Sequence, residues 1–235
     1  VATFAILKDN NYILNGSKTF VLDGHVADKF IVVARTSGNS EAKEGIQLFL
    51  VDSNADGVEI NRTVMLDSRN SAKINFSNVV IPKENKMDLA YFESLEKIYA
   101  IGAIGLAAEM LGSAQECFER TLAYLKERQQ FGVAIGSFQA LQHRAAKMFI
   151  DIELSKSVVI KGLKAIDTNE ENLTELASVA KAKLGQTLKL VSNEGIQMHG
   201  GVGMTDEVEI GFFVKRARVA QQTLGDYNYH LNRYA

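Results

Sequence analysis

Up to about residue 82 the apolar residues come in short β-branched or aromatic runs, and beyond the only proline, Pro82, they recur at helical spacing. "YILNGSKTFVLDG" (12–24) predicts two short strands around Asn15-Gly16, a pair that tolerates positive φ and favours a two-residue hairpin turn. "KFIVVART" (29–36), "GIQLFLVD" (45–52), "VEINRTVM" (58–65) and "AKINFSNVVI" (72–81) follow, parted by Gly, Asn, Asp and Ser clusters. Strands at this spacing, with no helix between them, predict an antiparallel β-barrel or sandwich.

From about Leu89 to Glu127 the apolar positions Leu95, Ile98, Ile101, Leu106, Met110, Ala114, Phe118 and Leu122 mark one long helix. A second is predicted from Ser137, as N-cap, to Ile166, and a third from near Asn172 to Met198 after the polar "DTNEEN" turn. A fourth covers roughly Glu207 to Thr223, with a short tail helix towards Ala235. Long helices with short connections predict an antiparallel four-helix bundle. The expected class is α+β: a β domain over 1–84, then a helical domain over 88–235.

Composition narrows the function. A chain of 235 residues, 46% hydrophobic and 23% charged, can bury a substantial core. A net charge of -2 argues against a general nucleic-acid binder. The single cysteine, Cys117, leaves no internal disulfide framework and fits a reducing, cytoplasmic compartment. No uninterrupted apolar run reads as a membrane span and no signal-peptide pattern is present. The chain opens on Val1 within a strand-like stretch and without Met, as a piece of a longer protein would.

Among candidate sites, "QMHGGVGM" (197–204) sets three glycines, Gly200, Gly201 and Gly203, between helical stretches. It lacks the third glycine and the preceding strand of a dinucleotide fingerprint. Two readings stand: a helix C-terminal cap, or backbone left bare so that a phosphate-rich ligand can lie against it. "KERQQFG" (126–132) combines Arg128, Gln130 and Phe131 at a helix break. It is either a loop ion pair with a core anchor, or a guanidinium fork and flat ring offered to a ligand. His25, His143, His199 and His230 show no metal-ligand spacing, and no metal site is expected. No serine sits in a nucleophile elbow, and Cys117, amid apolar neighbours, reads as a buried structural thiol.

Taken together and in order, "NGSKTFVLDG", "ERQQFGVAIGSFQALQH" (127–143) and "QMHGGVGMTDE" (197–207) resemble the acyl-CoA dehydrogenase family over essentially the whole chain. The R-x-x-F-G…F-Q and Q-x-x-G-G-x-G stretches are specific in combination. The resemblance implies FAD as cofactor, with Gln197, Gly200 and Gly201 against its ADP half. It implies Arg128 and Phe131 on the pyrophosphate and adenine, from a neighbouring subunit, and Gln139 as a further FAD contact. Phe20 falls where the family sets an aromatic residue beside the isoalloxazine. The all-helical N-terminal domain that the family carries in front has no counterpart in this sequence.

The same resemblance implies removal of a proton α to a thioester carbonyl by a carboxylate. The usual Glu position holds Leu224 in "TLGDYNYH", and a second family position for the base falls near Gly102. Asp226 is the one nearby carboxylate on that tail, either a base or a helix N-cap, and Glu109 is expected to be structural. The ending "VKRARVAQQTLGDYNYHLNRYA" is similar to small subunits of pimeloyl-CoA-type dehydrogenases. Three functions follow from the resemblance: a flavin-dependent acyl-CoA dehydrogenase chain, a non-catalytic FAD-binding partner subunit, or a relative with altered flavin or thioester chemistry. The implied partners are an acyl-CoA substrate, further copies in a dimer or tetramer or a related chain in a heteromer, and an electron-transfer partner.

Overall fold

The structure, a computed structural model, describes residues 1–88 and 92–234. Leu89, where helical spacing sets in, and Ala235, towards which the tail helix runs, lie outside the described residues. The chain separates into two compact units, Val1–Glu96 and Lys97–Ala235.

The first unit is built on seven strands: β1 (Phe4–Lys8), β2 (Asn11–Leu22), β3 (Lys29–Arg35), β4 (Ile46–Asp52), β5 (Val58–Thr63), β6 (Ser71–Pro82) and β7 (Lys86–Met87). They form one sheet in the order β5-β6-β2-β1-β3-β4-β7. Neighbours run antiparallel except β1 and β3, which meet in parallel at Phe4 and Arg35. Leu14, Val32, Phe49, Ile74 and Ile81 share the core, with Tyr12 edge-on to Phe49 at 4.9 Å between ring centroids.

Two expectations are corrected here. The sheet is not a closed barrel: its strand order ends at β5 and β7 among the described residues. β5 carries exposed Glu59 and Arg62 and β7 is two residues long, features that discourage further strand pairing. Nor does the chain turn back at Asn15-Gly16: β2 runs straight through it. Gly16, at φ 132°, is there because Thr3 Cα stands 2.8 Å from where a Cβ would be. The hairpin turn lies instead at Asp9–Asn10, with φ of 48° and 66°.

In the helical half, α1 (Phe92–Glu127) leads into a ribbon of β8 (Gln129–Gln130) and β9 (Val133–Ala134). Then come α2 (Gln139–Asp167), α3 (Leu173–His199), α4 (Ile210–Gln222) and α5 (Tyr227–Tyr234), so that the short helix expected after the fourth is present as α5. The short α5 packs on α3 and buries His230 there. Ser137 is not the N-cap of α2; its hydroxyl donates to Ala134 O at 2.7 Å within a tight turn.

Met110, Met148, Leu184 and Leu188, each at most 1% exposed, centre the main helical core. Each such burial stabilises the fold by about 1.5–3 kcal/mol. By length and composition α1 could cross a bilayer, but Ile104, Ala107, Met110, Ala114 and Cys117 are buried against the other helices. Ile98 and Ile101, from the predicted apolar stripe, are exposed.

Candidate functional site

The end of α1 is continued by Arg128, whose N–H donates to Tyr124 O at 2.8 Å. The ribbon that follows turns at Phe131-Gly132, with φ of 55° and 79°. Asn-Gly commonly fills such a turn; a phenylalanine there costs about 1–2 kcal/mol. Phe131 is 90% exposed, and its one ring neighbour among the described residues is Phe138, at 6.1 Å between centroids. A bulky residue held in the left-handed region and offered to solvent is a mark of functional strain. Among the described residues no hydrogen bond or ion pair holds the exposed Arg128 guanidinium. Gln139, also exposed, opens α2 beside Phe138.

The end of α3 lies against the same end of α1. Tyr124 stacks on His199 with centroids 4.3 Å apart and an interplanar angle of 23°. Its hydroxyl donates to His199 O at 3.2 Å, while His199 Nδ1 donates to Gly195 O at 2.7 Å.

The fold constrains two of the three glycines that follow. Gly200 needs its left-handed φ of 65° to end the helix. Gly203 has no room, since a Cβ there would meet Ile196 O at 2.7 Å. Gly201 has neither constraint: its φ is ordinary and a Cβ would meet nothing within 4 Å. Gln197 is exposed one turn earlier on α3. The structure thus brings Arg128, Gln197, Gly200 and Gly201 to one end of the helical unit. Tyr124, which ties them together, was missed in the sequence; its place one turn before Arg128 was the available signal.

Phe20 belongs to the other unit. It is 65% exposed at φ 53°, where the β2–β6 register shifts between Lys18 and Val21. Such a bulge re-aims a side chain out of the sheet pattern.

A second cluster surrounds the turn after α4. Leu224 and Gly225 take φ of 58° and 100° in succession. Leu224 Cδ1 lies 3.1 Å from where a Cβ on Gly102 would stand. Lys181, 2% exposed, donates to Gln221 O at 3.2 Å and Gly225 O at 2.9 Å. Burial pushes its ammonium down to about 8, against a smaller opposing pull from Asp226. His230 Nε2 donates to Leu224 O at 2.9 Å, and burial holds this imidazole below its ordinary range. Beside the turn lies a cavity of about 260 Å³ lined by Tyr99, Ala103, Leu224, Tyr229, His230 and Arg233.

Asp226 is not among the residues that line this cavity. Its Oδ1 accepts from Tyr229 N at 2.8 Å, the geometry of an N-cap for α5. Glu109 is paired with Arg216 at 2.6 Å. Cys117 is buried, and desolvation pushes its thiol up to about 12. Among the described residues, no group of three or more His, Cys, Asp or Glu side chains could hold a metal ion.

Comparison with known proteins matches residues 1–79 to the acyl-CoA dehydrogenase middle domain and residues 92–235 to the acyl-CoA dehydrogenase C-terminal domain. The chain is 31% identical over 239 residues to the short/branched chain specific acyl-CoA dehydrogenase, mitochondrial, of Bos taurus, covering 99% of this chain and 55% of that protein. It is 30% identical over 224 residues to the caffeyl-CoA reductase-Etf complex subunit CarC of Acetobacterium woodii, covering 93% of this chain and 59% of that protein. Butyryl-CoA dehydrogenase from Megasphaera elsdenii superposes with a TM-score of 0.93 at 27% identity, over 99% of this chain and 62% of that one. The chain therefore spans somewhat more than half the length of the relatives it matches.

Proposed function

The chain belongs to the acyl-CoA dehydrogenase family, and we propose that it holds FAD at the ends of α1 and α3 and serves the flavin-dependent α,β-dehydrogenation of an acyl-CoA thioester. The placing of Gly201 carries the proposal: a Cβ on it would meet nothing within 4 Å among the described residues, and it lies at the same end as a guanidinium unpaired among those residues. A diphosphate fits this donor set. Arg128 neutralises it through a planar fork, and Gly200 and Gly201 admit close backbone approach. The exposed Phe131 ring offers a flat face to adenine, while Gln139 and Gln197 supply hydrogen bonds. Phe20 would lie beside the isoalloxazine. When bound, FAD accepts the hydride, and the protein contributes position and electrostatics.

In this proposal the β domain spans 1–84 and the C-terminal helical domain spans 88–235. The chain acts as a homodimer or homotetramer, or in a heteromer with a related chain, so that Arg128 and Gln197 reach FAD across a subunit boundary. The exposed apolar residues Phe149, Ile150, Leu154, Ile160 and Leu163 along α2 support such an interface. An electron-transfer protein as partner is consistent with the Etf complex named for the Acetobacterium relative.

The apolar contact between Leu224 and the Gly102 position favours a second reading. Neither position offers a carboxylate, and Asp226 is committed to α5. We infer from this a chain that binds FAD as the non-catalytic partner of a related, base-carrying chain, or a relative with altered flavin or thioester chemistry. The ending similar to pimeloyl-CoA-type small subunits fits that assembly.

Purifying the protein, recording its flavin spectrum and adding a panel of acyl-CoAs separates these outcomes. Bound flavin bleached by an acyl-CoA supports dehydrogenation. Bound flavin that no acyl-CoA bleaches, until a related chain is added, assigns the partner role. Absence of flavin, alone or with that chain, overturns both.

A further inference from the structure

Arg128 and Gly201 sit on different helix ends, and a ligand gripped by both requires those ends to keep a fixed separation. Nothing in the ribbon supplies that: Gln129, Gln130, Phe131 and Gly132 are all exposed. Beside the junction the packing opens into a cavity of about 300 Å³ bounded by Arg120, Glu127, Glu209 and Ile210, so the core does not fill the space there.

Deeper in the unit Cys117 ties α1 to α3 through Val191 O, and at the junction itself the Tyr124–His199 pair crosses between them. Tyr124 belongs to the last turn of α1, and its carbonyl receives the Arg128 N–H at 2.8 Å. Its ring lies on His199 at 4.3 Å, and its hydroxyl donates to the His199 carbonyl at 3.2 Å. That carbonyl shares a peptide plane with the Gly200 N–H, so the hydroxyl fixes the orientation of the plane that opens the glycine turn. His199 is held in turn by Nδ1 on Gly195 O at 2.7 Å, and its Cβ lies 2.9 Å from where a Cβ on Gly203 would be. Tyr124 therefore reaches the arginine through its backbone and the glycine turn through its side chain.

We propose that Tyr124 and His199 are positioning residues, a brace that sets the separation between the Arg128 arm and the Gly200–Gly201 turn so that both engage one diphosphate. The proposal rests on the FAD assignment above. It differs from ordinary helix packing in one respect: the brace relates the two arms to each other, so most of its effect on the cofactor goes when the Arg128 side chain is removed.

The test is a double-mutant cycle on FAD affinity, measured on flavin-free protein by fluorescence titration and accompanied by thermal melting. Tyr124→Leu removes stack and hydroxyl and is expected to weaken FAD about tenfold, whereas Tyr124→Phe keeps the stack and weakens it about threefold. In an Arg128→Ala background, Tyr124→Leu is expected to add little further loss, because coupled residues are non-additive. Tyr124→Phe keeps the ring packing, so its loss is expected with little change in melting temperature. If Tyr124→Leu weakens FAD equally with and without Arg128, or if neither Tyr124 variant weakens it, the brace is overturned while the cofactor assignment stands. If Arg128→Ala itself leaves FAD affinity unchanged, the cofactor assignment is overturned and the brace with it.

Discussion

Leu224 Cδ1 lies 3.1 Å from where a Cβ on Gly102 would stand, so the two positions at which family resemblance sets the proton-abstracting carboxylate close on each other through an apolar contact. The turn carrying Leu224 is nonetheless firmly held, by Lys181 on Gln221 O and Gly225 O and by His230 on Leu224 O. Replacing Leu224 by Glu places a carboxylate on this turn, and the absence of Cβ at Gly102 leaves space opposite it. Leu224→Glu is expected to raise acyl-CoA-dependent flavin reduction by about 10²-fold or more, the usual contribution of a general base. Stopped-flow bleaching of the bound flavin measures this; no gain in a variant that keeps its flavin means that the missing carboxylate is not what limits the chain.

Asp226 is expected to be structural. Asp226→Asn retains an oxygen for Tyr229 N and is expected to keep FAD and to change flavin reduction by less than about tenfold, against about 10²–10⁴-fold for loss of a base. Asp226→Ala is expected to cost about 1 kcal/mol in urea unfolding. A loss of several orders of magnitude in reduction by Asp226→Asn makes Asp226 the base and removes the partner-subunit reading.

Lys181 predicts a pH dependence. Its ammonium titrates at about 8 when folded and at 10.5 when free. Between these values the unfolded chain keeps a proton that the folded chain has released, so stability rises with pH across the window and the gain is lost as pH falls from 10.5 to 8. The full swing is up to about 3 kcal/mol. Lys181→Met is expected to flatten this rise in urea unfolding midpoints measured across the window. Equal slopes in the two proteins would show that Lys181 is not the titrating group.

Cys117 is buried, with its thiol raised to about 12, so it should resist alkylation in the native protein and react only on unfolding. Mass spectrometry after reagent treatment, with and without denaturant, checks this; rapid native labelling contradicts the burial.

The helical half was the more legible in the sequence. A period of 3.6 brought out α1 to α4 because each buries a stripe, and even the misassigned Ile98 and Ile101 lie on the predicted helix. In the β half the Asn15-Gly16 pair misled. Its glycine serves the close approach of Thr3, a contact between strands that local turn chemistry does not encode. At the site, the motif residues were visible by type and order. Their strain was not: Phe20, Phe131 and Leu224 all adopt positive φ, which composition discourages for bulky residues and only tertiary structure imposes. The Tyr124–His199 stack joins residues far apart in sequence and leaves no local period. Lys181 had a signal that went unread, a charge within the buried stripe of Ala177, Ala180 and Leu184.

The central claim, that the turn after α3 is bare because a cofactor lies against it, is tested most directly at Gly201. Its φ is ordinary and a Cβ there would meet nothing within 4 Å among the described residues, so Gly201→Leu should change unfolding free energy by no more than about 0.5 kcal/mol. The same variant should lose FAD, with affinity down by about tenfold or more in equilibrium titration, because the added side chain occupies the ligand's place. Unchanged stability with weakened FAD is the predicted result. A Gly201→Leu protein that binds FAD as tightly as the wild type would contradict the account.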